Sequence, residues 1–287
     1  MTLHTIETGF FRLDGGDMFG VVPKALWERT NPADEKNRIE LAARSLLIED
    51  GDRLILIDTG MGNKQNDRFF NHFGLWGDAS LDNSLIKAGF SRNDITDVFL
   101  THLHFDHCGG AVRWNNSKTA YELSFPNARY WSNETHWNWA IRPNAREKAS
   151  FLKENLLPIE ESGQLHFVSR NNESFQKNTA LGFDVLFVDG HTEKQMIPHI
   201  KLNGKTVVFM ADLLPTVGHL PLPYVMGYDI RPLETLKEKA LFLDQAATNN
   251  SLLFMQHDAK NPLITVKHTD RGVRLNESIP FNSLNQL

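Results

Sequence analysis

One short polar run constrains the structure of this chain more than any other feature. Three histidines and one aspartate fall within six positions, in the segment Thr101-His102-Leu103-His104-Phe105-Asp106-His107. The run follows the apolar stretch 97–100, which predicts a buried strand. Imidazole nitrogen and carboxylate oxygen are the ligands that suit zinc and its neighbours among the transition metals. We therefore predict a metal site at the end of a strand, in preference to a loop of solvated histidines.

The composition is that of a globular protein with a sizeable core. Of its 287 residues, 41% are hydrophobic and 23% are charged. The net charge of −5 and the absence of a long basic run argue against a nucleic-acid partner. No stretch approaches the length of a membrane-spanning helix, and the first residues do not have the pattern of a secretory signal. With Cys108 as the single cysteine, we expect a cytoplasmic protein without an internal disulfide.

Apolar runs and helical periods alternate along the chain. Helices are predicted over 81–89 and 232–247, and a turn at Asn203-Gly204 predicts a hairpin. Because no repeat or flexible linker occurs, residues 1–287 are expected to form one domain. Two groups of strands interrupted by helices favour an α/β sandwich with the sheets inside. The predicted strands are 45–48, 54–57, 97–101, 128–132, 164–169, 183–189, 197–202, 205–211, 252–256 and 264–268.

Three more polar residues directly follow apolar strands, where α/β folds collect functional groups. His191 follows 185–189 through one glycine, Asp212 follows 207–211, and His257 follows 252–256. Each residue alone could equally be a hydrogen-bonded turn residue. Together with the 102–107 cluster, they predict a metal site completed by residues far apart in the sequence.

This set of motifs resembles the metallo-β-lactamase superfamily of hydrolases. The resemblance rests on His102-x-His104-x-Asp106-His107, Asp58-Thr59-Gly60, Gly190-His191-Thr192, Asp212 and His257. It implies a four-layered αββα sandwich that holds two divalent metal ions. It also implies that the Asp-Thr-Gly turn supports the metal loop without binding metal. By the same resemblance, His102, His104 and His191 would hold the first metal, Asp106, His107 and His257 the second, and Asp212 would bridge the two.

Longer segments narrow the resemblance. Residues 14–24, 101–107 and 210–216 are similar to those of the YtnP-like quorum-quenching lactonases, close to the methyl-parathion-hydrolase branch. This resemblance implies that a hydroxide between the metals opens a lactone or ester, foremost an N-acyl-homoserine lactone. Asp106 would orient the hydroxide and move its proton, and Asp212 would hold the two cations together. Zinc is the default metal for such ligands, although manganese, iron and cobalt fit them too.

Two positions depart from the family pattern. Gln195 stands where many members have a second histidine, and Pro215 stands where the first-discovered acyl-homoserine lactonases have a tyrosine. A mechanism that depends on that tyrosine cannot be transferred to this chain. Tyr224 and Tyr228 follow in the sequence as substitutes, and packing or surface roles explain them at least as well.

Apolar residues near the motifs predict a substrate pocket. Core packing would explain each of these apolar residues too. A solvated loop would explain His219, which lies near them in the sequence. The segment 15–36 is rich in apolar residues without a clear period. We expect it to cover the active-site mouth, to contact a second copy in a homodimer, or to be an irregular piece of core. The predicted pocket residues are Phe19, Trp27, Phe105, His219, Leu220 and Tyr224.

The motifs leave other reactions open. A two-metal site stabilises the transition states of organophosphate, aryl-ester, thioester and β-lactam hydrolysis in a similar way, so pocket shape decides among them. A di-iron redox centre and a non-catalytic metal-binding protein are alternatives of another class. The sequence offers no flavin domain for the first, and its complete ligand set argues against the second.

Overall fold

The computed structural model describes residues 1–170 and 173–286, which fall into two compact units. We call them unit 1 and unit 2. Unit 1 comprises Met1–Gly9, Ala43–Glu173 and Thr179–Leu181, and unit 2 comprises Phe10–Ala42, Ser174–Asn178 and Gly182–Leu287. The expectation that residues 1–287 form one domain stays a prediction.

Both units combine strands with short helices. The strands are β1 (Thr2–Asp14), β2 (Arg38–Asp50), β3 (Arg53–Ile57), β4 (Asp97–Phe99), β5 (Val112–Trp114), β6 (Tyr121–Leu123), β7 (Arg129–Ser132), β8 (Leu165–Phe167), β9 (Phe175–Gln176), β10 (Asp184–Val188), β11 (Gln195–Leu202), β12 (Lys205–Phe209), β13 (Leu252–Phe254), β14 (Leu263–Thr269) and β15 (Gly272–Ile279). The helices are α1 (Gly15–Phe19), α2 (Lys24–Trp27), α3 (Asp67–Phe73), α4 (Leu81–Lys87), α5 (Phe105–Cys108), α6 (Glu134–Ala140), α7 (Lys153–Glu161) and α8 (Pro232–Thr248). Short 3₁₀ turns lie at Gly109–Ala111, Val217–His219 and Phe281–Gln286.

A sheet with parallel central strands organises unit 1. Its strand order is β1-β2-β3-β4-β7-β8, and β3, β4, β7 and β8 run parallel to one another. Apolar residues of these strands, such as Leu56 and Val98, pack in one buried cluster with Leu81 and Leu85 of α4. Because Ile57 pairs with Phe99, the loops that follow β3 and β4 leave the sheet side by side. One loop begins with Asp58, and the other carries the histidine motif.

A seven-stranded sheet organises unit 2, in the order β15-β14-β13-β12-β11-β10-β9. Strands β12 and β13 are parallel, and β10 runs in the same direction because β11 is antiparallel to both β10 and β12. These three strands therefore end at the same edge of the sheet. The β11–β12 hairpin turns at Asn203 and Gly204, both with positive φ, which confirms the predicted turn.

The sequence located helices α4 and α8 and the central strands correctly, but it did not predict α7. Helix α4 lies within the predicted 81–89, and α8 begins at Pro232 as predicted. The long first strand was not predicted. Its buried residues Leu3, Ile6 and Phe11 are spaced by odd numbers of positions, so they do not show the two-residue period of a strand. The segment 15–36 contains α1 and α2, and Met18, Phe19 and Trp27 in it are buried. Among the described residues, no helix has both the length and the hydrophobicity needed to cross a membrane.

Candidate metal centre

In unit 1, the loop after β4 gathers the four predicted ligands of the histidine motif. His102 Nε2 and His104 Nδ1 lie 3.1 Å apart, and His107 Nε2 lies 3.8 Å from Asp106 Oδ2. The four side chains are buried or nearly so, and Asp106 is the most exposed of them. Two imidazole nitrogens at 3.1 Å either share a proton or face a common cation. The loop therefore supplies two pairs of donors that suit metal binding, His102 with His104 and Asp106 with His107.

The turn after β3 fixes this loop. Asp58, whose φ is +56°, accepts hydrogen bonds from the backbone N–H and the hydroxyl of Thr101, both at 2.8 Å. Its carboxylate also lies 2.9 Å from His107 Nδ1. This contact places the imidazole proton on Nδ1 and leaves the lone pair of Nε2 for a metal. The supporting role implied for the Asp-Thr-Gly turn agrees with these contacts.

Two glycines let the turn and the loop approach backbone to backbone. A Cβ atom at Gly110 would lie 2.2 Å from the carbonyl oxygen of Thr59, and one at Gly109 would lie 2.2 Å from that of Met61. Thr59 also donates from its N–H to the carbonyl of His107 at 2.7 Å. The position of the ligand loop therefore depends on the absence of side chains at 109 and 110.

In unit 2, the strand ends bring three predicted ligands together. Because Phe209 pairs with Phe254 in parallel register, Asp212 and His257 each follow their strand by three residues at the same edge. Asp212 Oδ1 lies 2.9 Å from His257 Nε2, and Asp212 Oδ2 lies 2.9 Å from His191 Nε2. The two oxygens of one buried carboxylate therefore face two different histidines, an arrangement that suits metal binding.

Both histidines of unit 2 are held by their other ring nitrogen. His191 Nδ1 lies 3.0 Å from the buried carboxylate of Asp229, and His257 Nδ1 lies 2.8 Å from the carbonyl of Ala42. Burial lowers the pKa of His191, but Asp212 and Asp229 outweigh burial and raise it to about 10. Without a metal, Nε2 therefore carries a proton toward Asp212. A metal ion bound at this position would replace that proton, while the acceptor at Nδ1 keeps the other one.

Gln195, at the position of departure from the family pattern, supports the Asp212 loop. The side chain is fully buried at the start of β11. With its amide oxygen turned to this loop, it accepts from the backbone N–H groups of Asp212 at 3.3 Å and Leu213 at 3.2 Å. Ala211, directly before Asp212, has a φ of +40°, so the chain bends sharply at this point. We assign Gln195 a structural role in holding the carboxylate in place.

The predicted pocket residues have different surroundings. Phe105 in unit 1 is half-buried, and its ring lies 5.2 Å from that of Phe69 and 4.8 Å from that of Phe73, both on α3. We call these three rings the phenylalanine cluster. Sequence reasoning missed Phe69 and Phe73, because a short helix without buried residues gives no clear period.

The other predicted pocket residues belong to unit 2. Phe19 stacks between Trp27, at 5.3 Å, and His219, at 4.2 Å, and all three are buried, as is Leu220. Tyr224 is half-buried beside Phe19. His219 contacts the Thr216 hydroxyl and the Met18 carbonyl, and burial lowers its pKa to about 3, so it is not a solvated loop histidine. The assignment of these residues to a substrate pocket stays a prediction.

Unit 2 also contains an open cavity of about 500 Å³. Its lining includes two ion pairs, Arg38 with Asp34 at 2.8 Å and Arg12 with Glu40 at 3.0 Å. Asp258, the neighbour of His257, is another of its lining residues. None of the six predicted pocket residues is among the described residues that line it. The lining of this cavity is therefore charged.

Comparison with known proteins places the chain in one superfamily of hydrolases. Residues 38–257 match the family model of the metallo-beta-lactamase superfamily. The chain is similar to a probable metal-dependent hydrolase from Staphylococcus aureus, with 27% identity, a TM-score of 0.78, and coverage of 97% of this chain and 98% of that chain. It is also similar to AidC, described as a dizinc quorum-quenching lactonase in complex with the product N-hexanoyl-L-homoserine (26% identity, TM-score 0.76, coverage 97% and 95%).

A further similar structure is that of AbOPH, a hydrolase in the beta-lactamase superfamily, with a TM-score of 0.75 and coverage of 97% and 94%. At 19% identity, this likeness concerns the fold alone. A comparison with curated protein sequences finds no significant match.

Proposed function

This chain belongs to the metallo-beta-lactamase superfamily and is a hydrolase with that fold, and we propose from this membership that it opens lactones or esters, foremost N-acyl-homoserine lactones. The predicted α/β fold class is confirmed by the family match and by the structural similarity over nearly the whole chain. The predicted cytoplasmic location and homodimer stay predictions.

We assign the metal ligands as the family motifs imply. His102, His104 and His191 would hold one ion, Asp106, His107 and His257 a second, and Asp212 would bridge them. The observation that carries this proposal is the carboxylate of Asp212, whose two oxygens face His191 and His257 at 2.9 Å each. Those two histidines are assigned to different ions, and a carboxylate with an oxygen beside each histidine could contact both ions.

Two divalent ions held by these residues would supply Lewis acidity toward a carbonyl oxygen and a water of lowered pKa as nucleophile. The carboxylate of Asp106 orients that water and takes its proton. Asp106 is suited to this role because its side chain is 13% exposed, whereas His107 beside it is fully buried. The same carboxylate then returns the proton to the leaving oxygen of the substrate. Asp212 would hold the two cations together against their mutual repulsion.

The phenylalanine cluster supports a substrate with an apolar part. Phe105 lies between the ligands His104 and Asp106 in the sequence, and its half-buried ring packs on the two rings of α3. Exposed aromatic surface beside a polar centre suits an acyl chain or an aromatic ester. The product named for AidC, an N-acyl-homoserine, has such a chain.

The experiment that tests this proposal compares substrates on protein of known metal content. We would measure kcat/KM for N-acyl-homoserine lactones of increasing chain length, an aryl ester and methyl parathion, with Asp106→Asn as the control variant. The proposal predicts that lactones are the best substrates and that the variant loses at least 100-fold in kcat/KM. Turnover of the aryl ester or of methyl parathion with no lactone turnover would instead establish an aryl-ester or organophosphate hydrolase.

A further inference from the structure

A buried carboxylate lies against the predicted ligand His104. The Nδ1 atom of this histidine faces His102 at 3.1 Å, and its Nε2 atom lies 3.5 Å from Oε1 of Glu147. Glu147 is only 3% exposed and belongs to the segment between α6 and α7. We propose that Glu147 is a positioning residue, which holds His104 in the tautomer and orientation that bind a metal through Nδ1. This inference rests on the proposed function of the metal centre.

The two carboxylate oxygens of Glu147 have different partners. Oε2 accepts hydrogen bonds from Trp139 Nε1 at 2.8 Å and from Asn144 Nδ2 at 2.5 Å. These bonds satisfy one side of the carboxylate and turn Oε1 toward His104. A buried carboxylate needs such partners, because burying a charge without hydrogen bonds is strongly unfavourable. The arrangement therefore fixes the direction in which Oε1 points.

The backbone around Glu147 is also joined to the metal loop. Ser150 donates from its N–H to the carbonyl of Glu147 at 2.8 Å, and its own carbonyl accepts from the N–H of Phe105 at 3.0 Å. The ring of Phe151 lies 4.7 Å from that of His104. Residues 147–151 thus contact the loop through main chain, ring and carboxylate, which gives Glu147 a defined position relative to His104.

The chemistry of imidazole explains what this position does. A neutral imidazole carries one proton, and only its unprotonated nitrogen can bind a metal. The negative charge of Glu147, 3.5 Å from Nε2, favours the proton on that nitrogen and leaves the Nδ1 lone pair directed at His102. Two other histidines are paired with a carboxylate in the same way, but through Nδ1. These pairs are His107 with Asp58 and His191 with Asp229. In each pair, the carboxylate contacts the nitrogen remote from the proposed metal.

The substitution Glu147→Gln tests the inference while preserving shape. The amide is uncharged, so it attracts the Nε2 proton of His104 less than the carboxylate does. We expect the affinity for Zn²⁺ to fall 10- to 100-fold, measured by competition with a chromophoric chelator. Glu160→Gln is the matched control, because Glu160 also accepts from a tryptophan, Trp137 Nε1 at 3.4 Å, but is exposed. Its affinity should equal that of the wild type.

Thermal unfolding of the metal-free proteins separates positioning from a general structural role. A Glu147→Gln protein that melts like Glu160→Gln yet binds Zn²⁺ more weakly supports the inference, and unchanged affinity overturns it. If Glu147→Gln does not fold, Trp139→Phe decides, because it removes one of the two bonds that hold Oε2 and so turn Oε1 toward His104. A weakening of Zn²⁺ binding by Trp139→Phe supports the inference, and wild-type affinity overturns it. A wild-type protein that binds no metal would instead refute the proposed function itself.

Discussion

Replacing Asp58 with asparagine should weaken metal binding, although Asp58 is not itself a proposed metal ligand. The carboxylate accepts three buried hydrogen bonds, two from Thr101 and one from His107 Nδ1. An amide of the same shape keeps one acceptor oxygen for the Thr101 N–H and presents an N–H group to His107. The imidazole then avoids a donor–donor contact by moving its proton to Nε2, the nitrogen that would bind metal. We expect a 10- to 100-fold loss of Zn²⁺ affinity, about 1.4–2.7 kcal/mol.

The control for this prediction is Asp97→Asn. Asp97 is equally buried in unit 1 and accepts from Trp131 Nε1 at 2.8 Å and from Arg129, but its described contacts include no histidine. Both variants should lose about 1–3 kcal/mol of metal-free stability in urea unfolding, because each weakens hydrogen bonds to a buried carboxylate. Only Asp58→Asn should lose Zn²⁺ affinity in a chelator competition. Equal affinities in the two variants would refute the tautomer argument.

Three further predictions concern the scaffold of the centre and the pH dependence of the protein's stability. Gly110→Ala should lower the free energy of unfolding by about 1–3 kcal/mol or more, since its Cβ would overlap the Thr59 carbonyl, and an unchanged urea midpoint would contradict the close approach. Gln195→Ala should cost about 2–4 kcal/mol in the same assay, because two buried N–H groups of the Asp212 loop lose their acceptor. Burial lowers the pKa of His199 to about 4, so below pH 6.5 the unfolded chain takes up a proton that the folded chain does not. Stability should therefore fall by up to roughly 3 kcal/mol between pH 6.5 and 4, and His199→Leu should flatten this fall; an equal slope in both proteins would contradict the prediction.

The sequence predicted the parts of the site that depend on strand ends. His191, Asp212 and His257 each follow a short apolar run, and apolar runs of this kind mark buried strands. The structure has these strands running in one direction in one sheet, so their polar followers meet at one edge. Local pattern was therefore sufficient for residues whose placement follows directly from a strand.

The residues that orient the ligands could not be predicted in this way. Glu147 and Asp229 lie in irregular segments, where neither a period nor a neighbouring strand marks a position. Their roles depend on contacts with His104 and His191, which are 43 and 38 residues away in the sequence. Chain folding alone brings such pairs together. Only Asp58 was identified beforehand, because it belongs to a recognisable Asp-Thr-Gly motif.

The sequence could not distinguish a pocket wall from interior packing for a related reason. Phe19 and Trp27 are apolar residues in a segment without a period, and the same pattern fits a pocket wall or interior packing. The structure buries both rings, with Phe19 stacked on His219. Phe105, within the ligand loop, and Tyr224 are the predicted pocket residues that are only half-buried.

The most direct test of the account is the number of metal ions that the native protein binds. Native mass spectrometry of the wild-type chain loaded with Zn²⁺ should give two ions per chain. The same measurement on Asp212→Ala should give fewer than two, because that variant lacks the carboxylate that faces both His191 and His257. A wild-type chain that binds one ion or none, or an Asp212→Ala chain that still binds two with unchanged affinity, would contradict the proposed dinuclear centre.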